Sequence, residues 1–325
     1  MGRYLVNRLA TTIVVLLGVS LITFGLIRLI PGDPVQVMLG PEVSGNRADE
    51  IRELYGLNRP WPVQYFEWLV RAFQGNLGSS LRSGLPVTDS ILEKLPITIE
   101  LTFFSIVIGL LIGLPLSIVA ARNRGKFIDG FLSSVALLGI SMPGFWLATL
   151  LVLLFSLAWR ILPPIGYVSF FEDPIENLRD MILPSVSLGL AFGATVMRFT
   201  RSSLLEVFSQ DYVRTARAKG LSGRSVINRH ALKNALIPVM TVTGIQVGRL
   251  LGGAVIIEQI FALPGLGRYT FDAISTRDYP VMQGTVLVFT LVFILVNLLV
   301  DILYGVVDPR IKLTTERIGQ QKATT

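Results

Sequence analysis

Cysteine is absent from all 325 residues, which excludes disulfides and thiolate metal sites. Histidine occurs once, as His230, so a histidine-built metal centre lacks its ligands. There is no Gly-x-x-x-x-Gly-Lys-Ser/Thr loop, so the chain does not cradle nucleotide phosphates in that way. There is no His-Glu-x-x-His pair to serve a metal-dependent hydrolase. Charge is also scarce: 16% of residues are charged, against about a quarter in a soluble domain. What replaces it is apolar, at 51% of the chain, gathered in long runs that a soluble core does not require. The composition is that of a polytopic membrane protein. The net charge of +7 therefore does not indicate nucleic acid, because excess Lys and Arg in such a protein mark cytoplasmic loops.

Six runs are long enough to cross a bilayer, which takes roughly 20 apolar residues as a helix. They are 9–27, 101–121, 131–159, 181–197, 235–257 and 281–300. The third is interrupted by Pro143-Gly144, and the fifth is broken only by Arg249. The first exceeds the apolar core of a secretory signal and is followed by Pro31-Gly32-Asp33-Pro34 instead of a small-residue cleavage site, so it is expected to remain as an anchor. Alternate loops carry 17 basic residues on one side; the short loops 158–180 and 258–278 opposite carry 4. The basic side is expected to be cytoplasmic, with both termini inside.

The expected fold is all-α, with six transmembrane helices and a cytoplasmic helix between spans four and five. Residues 1–30 would form the N-terminus and first span, and 31–97 an extracytoplasmic segment. Residues 98–310 would form the core, with a basic loop at 206–238, and 311–325 a cytoplasmic tail. Within 31–97, Pro62–Phe73 reads as a short helix suited to the membrane interface. Thr88 and Asp89 are placed to cap another through Leu95.

The loop between spans four and five is the most distinctive stretch. Asp211 is a candidate N-cap and Gly220 a candidate stop, which predicts about two helical turns. Val213, Ala216 and Gly220 share one small, mildly apolar face that would let a partner's backbone approach closely, with Arg214, Arg217 and Lys219 around it. Ser222 is placed to cap a second helix leading into span five. Composition serves two readings equally: a rigid knob for a soluble engine, or a basic loop lying on anionic lipid.

Asp211-Tyr212-Val213-Arg214-Thr215-Ala216-Arg217-Ala218-Lys219-Gly220-Leu221 resembles the coupling (EAA) loop of ATP-binding-cassette importer permeases. That motif runs Glu-Ala-Ala, three residues, then Gly. Arg214, Thr215, Ala216 and Gly220 take those positions, so the second Ala and the Gly are kept. Ile237-Pro238 lies several residues beyond the motif's Leu-Pro ending. The Tyr-Val-Arg-Thr-Ala-Arg-Ala-Lys-Gly form is similar to that of dipeptide and oligopeptide permeases. Leu29-Ile30-Pro31-Gly32-Asp33-Pro34, Glu258–Arg268, Arg277-Asp278-Tyr279-Pro280, Asn297–Tyr304 and Asp308-Pro309-Arg310 extend the resemblance over nearly the whole chain, closest to the B-type subunit. The resemblance implies a homologous second permease, two ATPase chains carrying Mg-ATP, an extracytoplasmic solute-binding protein and a prokaryotic inner membrane. It implies no cofactor or catalytic residue in this chain, and a peptide cargo; nickel chelates, glutathione and oligosaccharides use similar permeases. The remaining rival is an ion-coupled secondary transporter.

Other residues leave two readings each. Pro264, Gly265 and Gly267 make either a gate edge flanked by Phe261 and Tyr269 or a stiff connector. Gly244, Gly248 and Gly252 form a stripe better suited to helix packing than to a pathway, as do Gly109 with Gly113 and Gly189 with Gly193. Arg249, roughly 20 Å above the cytoplasmic end at 1.5 Å per residue, lines a path with Gln246 or is satisfied by carbonyls and snorkelling. Asp301 is placed to pair with Arg198 or Arg201. Met142 and Phe145, beside Pro143-Gly144, line a path at an opening kink or pack a static one.

Overall fold

A computed structural model describes residues 2–29, 52–53, 58–226 and 231–307. Ten helices concern the function: α1 Gly2–Leu29, α2 Trp61–Phe73, α3 Val87–Arg122, α4 Phe127–Ser141, α5 Gly144–Leu151, α6 Pro174–Phe208, α7 Asp211–Ala218, α8 Leu232–Ile260, α9 Leu266–Thr276 and α10 Tyr279–Val307. A π-helical segment, Val152–Ala158, continues α5. No β-strand occurs among the described residues. The all-α class expected from the sequence is the one observed. Four helices, α3, α6, α8 and α10, are long and apolar enough to cross a membrane, the bent pair α4–α5 makes up to five, and α1 holds a shorter apolar stretch, Ala10–Leu26. The Pro31–Pro34 and Asp308–Arg310 motifs, and the tail 311–325, lie outside the described residues.

The chain forms two compact units, one of Met1–Ile99 with Ala262–Ile294 and one of Glu100–Phe261 with Leu295–Thr325. In the first, α2 begins with Pro62 in its opening turn, where a missing N–H costs nothing. Its Tyr65 and Trp68 pack on Phe24 of α1, with ring centroids 5.2 and 6.3 Å away. Tyr65 Oη lies 2.9 Å from Ser20 Oγ. The helix expected from Pro62 to Phe73 is therefore present, with Tyr65 and Trp68 turned onto α1 and Trp61, Phe66 and Phe73 exposed. Leu77, Val87, Ile91, Leu266, Ala273 and Val281 form the unit's core.

The short capped helix expected at 88–95 is not separate. It is the start of the 36-residue α3, which continues into span two. Thr88 is not its cap: its hydroxyl donates to the Gly75 carbonyl at 2.7 Å and accepts from Leu77 N–H, pinning the preceding turn.

In the second unit α6 is the hub. Two-thirds (67%) of its apolar window is buried, against 28% for α3 and 33% for α8. The apolar run 181–197 understates it, because α6 extends to 35 residues with Asp173 capping Ile175 and Glu176 N–H groups. Charge ends an apolar run without ending a helix. Glycines bring α3 and α6 into backbone contact: a Cβ on Gly113 would stand 2.5 Å from the Gly193 carbonyl, and one on Gly189 2.7 Å from that of Ser105. Buried hydroxyls return to their own helix, Ser105 to Leu101 O and Ser187 to Leu183 O, both at 2.7 Å.

Run 131–159 is not one continuous helix. α4 and the α5 segment meet at 102°. Met142 precedes a proline, is driven out of the α region (φ −76°, ψ 128°) and ends α4. Pro143 then opens α5. The glycine stripe of span five also divides. Gly244 packs on Val300, and a Cβ there would meet its side chain at 2.8 Å. Gly252 has nothing within 4 Å, and it is Gly253 that faces Leu188.

Candidate coupling site and pathway residues

α7 follows α6 after only Ser209 and Gln210. The Gln210 carbonyl accepts from Val213 and Arg214 N–H at 3.1 and 3.2 Å, so it takes the place at the helix start that the sequence assigns to Asp211. Asp211 stands instead in the first turn, beside Arg214 at 3.5 Å in a solvent-exposed pair of little energetic weight. The stop falls where expected. Gly220 has φ +77°, and Leu221 N–H reaches back to the Ala216 carbonyl, a closure that a glycine makes at least cost. Ser222 then caps the next turn by accepting from Ser225 N–H at 3.3 Å. Residues 227–230, over which the second helix was expected to continue, lie outside the described residues.

The small face of α7 is turned the other way from the expectation. Val213 is 0% and Ala216 6% exposed, and they pack with Val226 and Val207 of this chain. That face fastens the helix. The surface left to a partner is Tyr212, Arg214, Thr215, Lys219, Gly220 and Leu221. Tyr212 also ties α7 to α8, because its hydroxyl accepts from Asn234 Nδ2 at 2.8 Å. The side chain of Arg217, and those of Ile237 and Pro238, lie outside what is described.

On α8, Thr241, Ile245, Arg249, Gly252 and Ile256 are exposed at spacings of four, four, three and four. They form one uncovered stripe with a single cation. Gln246 is half-buried. α5 packs on α8 within the same unit. Met142, at the break before α5, is half-buried, while Phe145 and Trp146 are about half exposed, at 53% and 47%.

The Pro264-Gly265-Leu266-Gly267 stretch starts a helix. Pro264 is exposed, Gly265 is the N-cap of α9, and Gly267 is buried within it. The Leu266 N–H, orphaned at the helix start, is taken up by Thr98 Oγ1 at 2.9 Å. Phe261 is buried at 2% exposure, so its ring packs within the protein and is not offered to lipid as its sequence position suggests. The eleven-residue α9 was not anticipated.

Two polar pairs in the second unit also escaped the sequence. Arg201 pairs with Asp129 through two short bonds; the pairing expected of Asp301 with Arg198 or Arg201 involves a side chain outside what is described. Tyr167 donates to Glu100 Oε2 at 3.0 Å. Burial, and then the Glu100 charge, push the Tyr167 hydroxyl up to about 12. In the first unit, Ser80 Oγ and Leu81 N–H donate to the buried Asp278 carboxylate at 2.5 and 3.2 Å. Beside it lies an open pocket of about 620 Å³ that includes Arg82, Tyr269 and Asp272 in its lining.

Two family models cover the chain: the N-terminal region of binding-protein-dependent transport system membrane components over residues 1–102, and the binding-protein-dependent transport system inner membrane component over 113–313. A Brucella abortus (strain 2308) protein, whose name describes a peptide transport system permease, is 45% identical over 96% of this chain and 99% of its own length. The dipeptide transport system permease proteins DppB of Alkalihalophilus pseudofirmus and Escherichia coli (strain K12) are 43% and 41% identical, over 96% of this chain and 100% and 99% of theirs. Two crystal forms described as inward-facing conformations of the MetNI methionine ABC transporter share the fold. Their TM-scores are 0.55 and 0.52, at 18% and 19% identity, each over 67% of this chain and 96% of the other. This chain belongs to the family of binding-protein-dependent transport system inner membrane components: it is a multi-pass bacterial inner-membrane permease subunit of an ATP-binding-cassette importer, similar along its length to the B-type subunit.

Proposed function

We propose that this subunit moves di- or oligopeptides into the cell by alternating access, paired with a homologous second permease and driven by two separate ATPase chains that hold Mg-ATP. An extracytoplasmic solute-binding protein delivers the cargo. The observation that carries the peptide reading is 41–45% identity over 96% of the chain to proteins named for peptide or dipeptide transport.

The form of α7 supports the coupling role. A lever must not bend under load. Val213 and Ala216 anchor α7 to Val207 and Val226, Gly220 closes its end, and Tyr212 binds it to α8. The outward residues Thr215, Lys219 and Leu221, with the exposed part of the Tyr212 ring, would seat in an ATPase groove, with Arg214 and Lys219 adding charge at its rim. When ATP closes the ATPase pair, α7 moves as a rigid body and carries the cytoplasmic end of α6 with it.

The uncovered stripe of α8 is the surface this subunit offers to the pathway. Arg249 is its cation and suits the carboxylate of a peptide, where a charge-assisted bond contributes about 1.5–3 kcal/mol. Gln246 lies one turn before it, and Met142 and Phe145 supply adaptable apolar surface at the α4–α5 break. Of Pro264, Gly265 and Gly267, only Pro264 is exposed enough to serve as a gate edge; the two glycines are buried at the start of α9.

The test is a mild-detergent pull-down of the tagged chain from its native membrane. A second permease, two ATPases and a binding protein that releases peptides, identified by mass spectrometry, is the expected result. A nickel chelate, glutathione or oligosaccharide released instead would keep the importer and replace the cargo. A chain that comes down alone after cross-linking, and transports without nucleotide, would favour an ion-coupled transporter.

A further inference from the structure

Arg201 of α6 holds Asp129 of α4 by a two-point grip. Its Nε donates to Oδ1 at 2.6 Å and its Nη2 to Oδ2 at 2.7 Å. The Asp129 Oδ2 also accepts the Gly125 N–H at 3.0 Å, so the carboxylate fixes the α3–α4 turn as well. The Asp129 side chain is 6% and that of Arg201 26% exposed. Arg59–Glu67, Arg179–Glu176 and Arg214–Asp211, by contrast, are exposed pairs between sequence neighbours, which contribute little. Asp129 and Arg201 are 72 residues apart, and a bidentate buried pair fixes direction as well as distance.

Its place in the fold gives the grip a task. Arg201 lies seven residues before the end of α6, and α7 starts three residues after that end. Asp129 lies in the first turn of α4, the first arm of the broken α4–α5 element. Above the pair, α4 runs antiparallel to α6: Ala136 packs with Met197, and a Cβ on Gly139 would meet that of Ala194 at 3.3 Å. Those upper contacts are apolar and carry no directional bond. The ion pair does.

We infer that Asp129 and Arg201 form a coupling latch, a positioning pair that makes α4 follow the cytoplasmic end of α6 when α7 is displaced, so that the ATPase stroke reaches the break at Met142–Gly144. The inference rests on the importer reading above. A latch of this kind acts on the yield of the cycle, whereas a merely structural pair acts on the amount of folded complex.

The complex is reconstituted in proteoliposomes with its ATPases and binding protein, and uptake of labelled dialanine is measured against ATP hydrolysed. Asp129→Asn keeps size and removes charge. The expected result is wild-type assembly, retained ATPase activity and a tenfold or greater fall in dipeptide moved per ATP, with Arg201→Lys intermediate. The chain has no cysteine, so Asp129→Cys with Arg201→Cys can be bridged by a short reducible thiol cross-linker. Bridging is expected to restore the ratio and reduction to remove it again. Uptake and hydrolysis that fall in proportion, or an unchanged ratio in Asp129→Asn, would overturn the latch. If Asp129→Asn fails to accumulate, the cysteine pair decides, and equal ratios when bridged and reduced would overturn it. A wild-type chain with no associated ATPase would defeat the importer reading first; a coupled wild type with an unaltered variant defeats the latch alone.

Discussion

The carbonyl oxygen of Gly109 lies 2.8 Å from where a Cβ on Gly193 would stand. The two helices therefore touch through backbone, with no room for a methyl group. Neither helix can yield locally, because Gly113 meets Gly193 and Gly189 meets Ser105 in the same way. Gly193→Leu is expected to destabilise the subunit by about 1–3 kcal/mol or more, the usual cost of overpacking. A fall in the detergent melting temperature of the purified complex checks it. Gly252→Ala, with nothing within 4 Å of the added carbon, is the control and should leave the chain's own melting unchanged or slightly raised.

That contact was half legible in the sequence. Glycines four apart on two apolar runs announce close helix packing, but not which helices meet, and Gly252 carries the same signature with no neighbour at all. Pro143-Gly144 announced an interruption; the 102° turn depends on Met142 being extended, a backbone choice made by the proline and the helices packed around it. α9 was hidden because Leu266–Thr276 is short and amphipathic, and its opening Pro-Gly-Leu-Gly reads as a turn. The Asp129–Arg201 pair was hidden by separation. Position along the chain suggested Arg198 or Arg201 for Asp301, and nothing local pointed Arg201 to Asp129. Helix α7 was the most legible element, since Gly220 and the Ser222 cap are local chemistry. Which of its faces points inward required Val207 and Val226.

Gly220→Arg tests the coupling helix. At φ +77° a side chain costs about 1–2 kcal/mol, and an arginine there projects from the surface a partner must meet. The chain is expected to insert at wild-type level and to lose its ATPase in a pull-down. Normal ATPase recovery and uptake in this variant would remove α7 from the coupling path.

The two faces of α7 are separable. Thr215→Arg, on the exposed side, should weaken ATPase association while leaving the loop resistant to protease in the isolated chain. Val213→Asp places an unpaired carboxylate among Ala216, Val226 and Val207, which costs several kcal/mol unless the helix detaches. It should make the loop protease-sensitive even before any partner is added.

Tyr167 gives a pH test with a definite sign. Its hydroxyl is held to about 12 from an ordinary value of 10.0, chiefly by burial. The folded chain therefore keeps this proton when the unfolded chain has lost it. Stability from this group is fully present below about 10 and lost as pH rises towards about 12, because the unfolded state binds fewer protons across that window. Tyr167→Phe, which cannot ionise, should lose the part of the alkaline destabilisation that falls between those values, read as a flatter melting-temperature profile. Equal profiles would mean that Tyr167 is not buried beside Glu100 in the protein as it stands in the membrane.

Arg249 distinguishes a pathway cation from a packing one. Among the described residues it makes no ion pair, and it stands on the uncovered stripe of α8. If it receives the cargo carboxylate, Arg249→Gln should lower the transport rate for dialanine by about ten- to a hundredfold, the factor that corresponds to losing one charge-assisted bond. The same variant should affect a dipeptide amide, which has no carboxylate to lose, far less. Arg249→Lys should recover part of the difference, since it restores the charge without the planar fork. Assembly with the ATPases serves as the internal reference, because a packing arginine would lower assembly and both substrates together. Uptake of acid and amide reduced by the same factor would place Arg249 in the structure of the subunit and leave recognition of the peptide terminus to other residues.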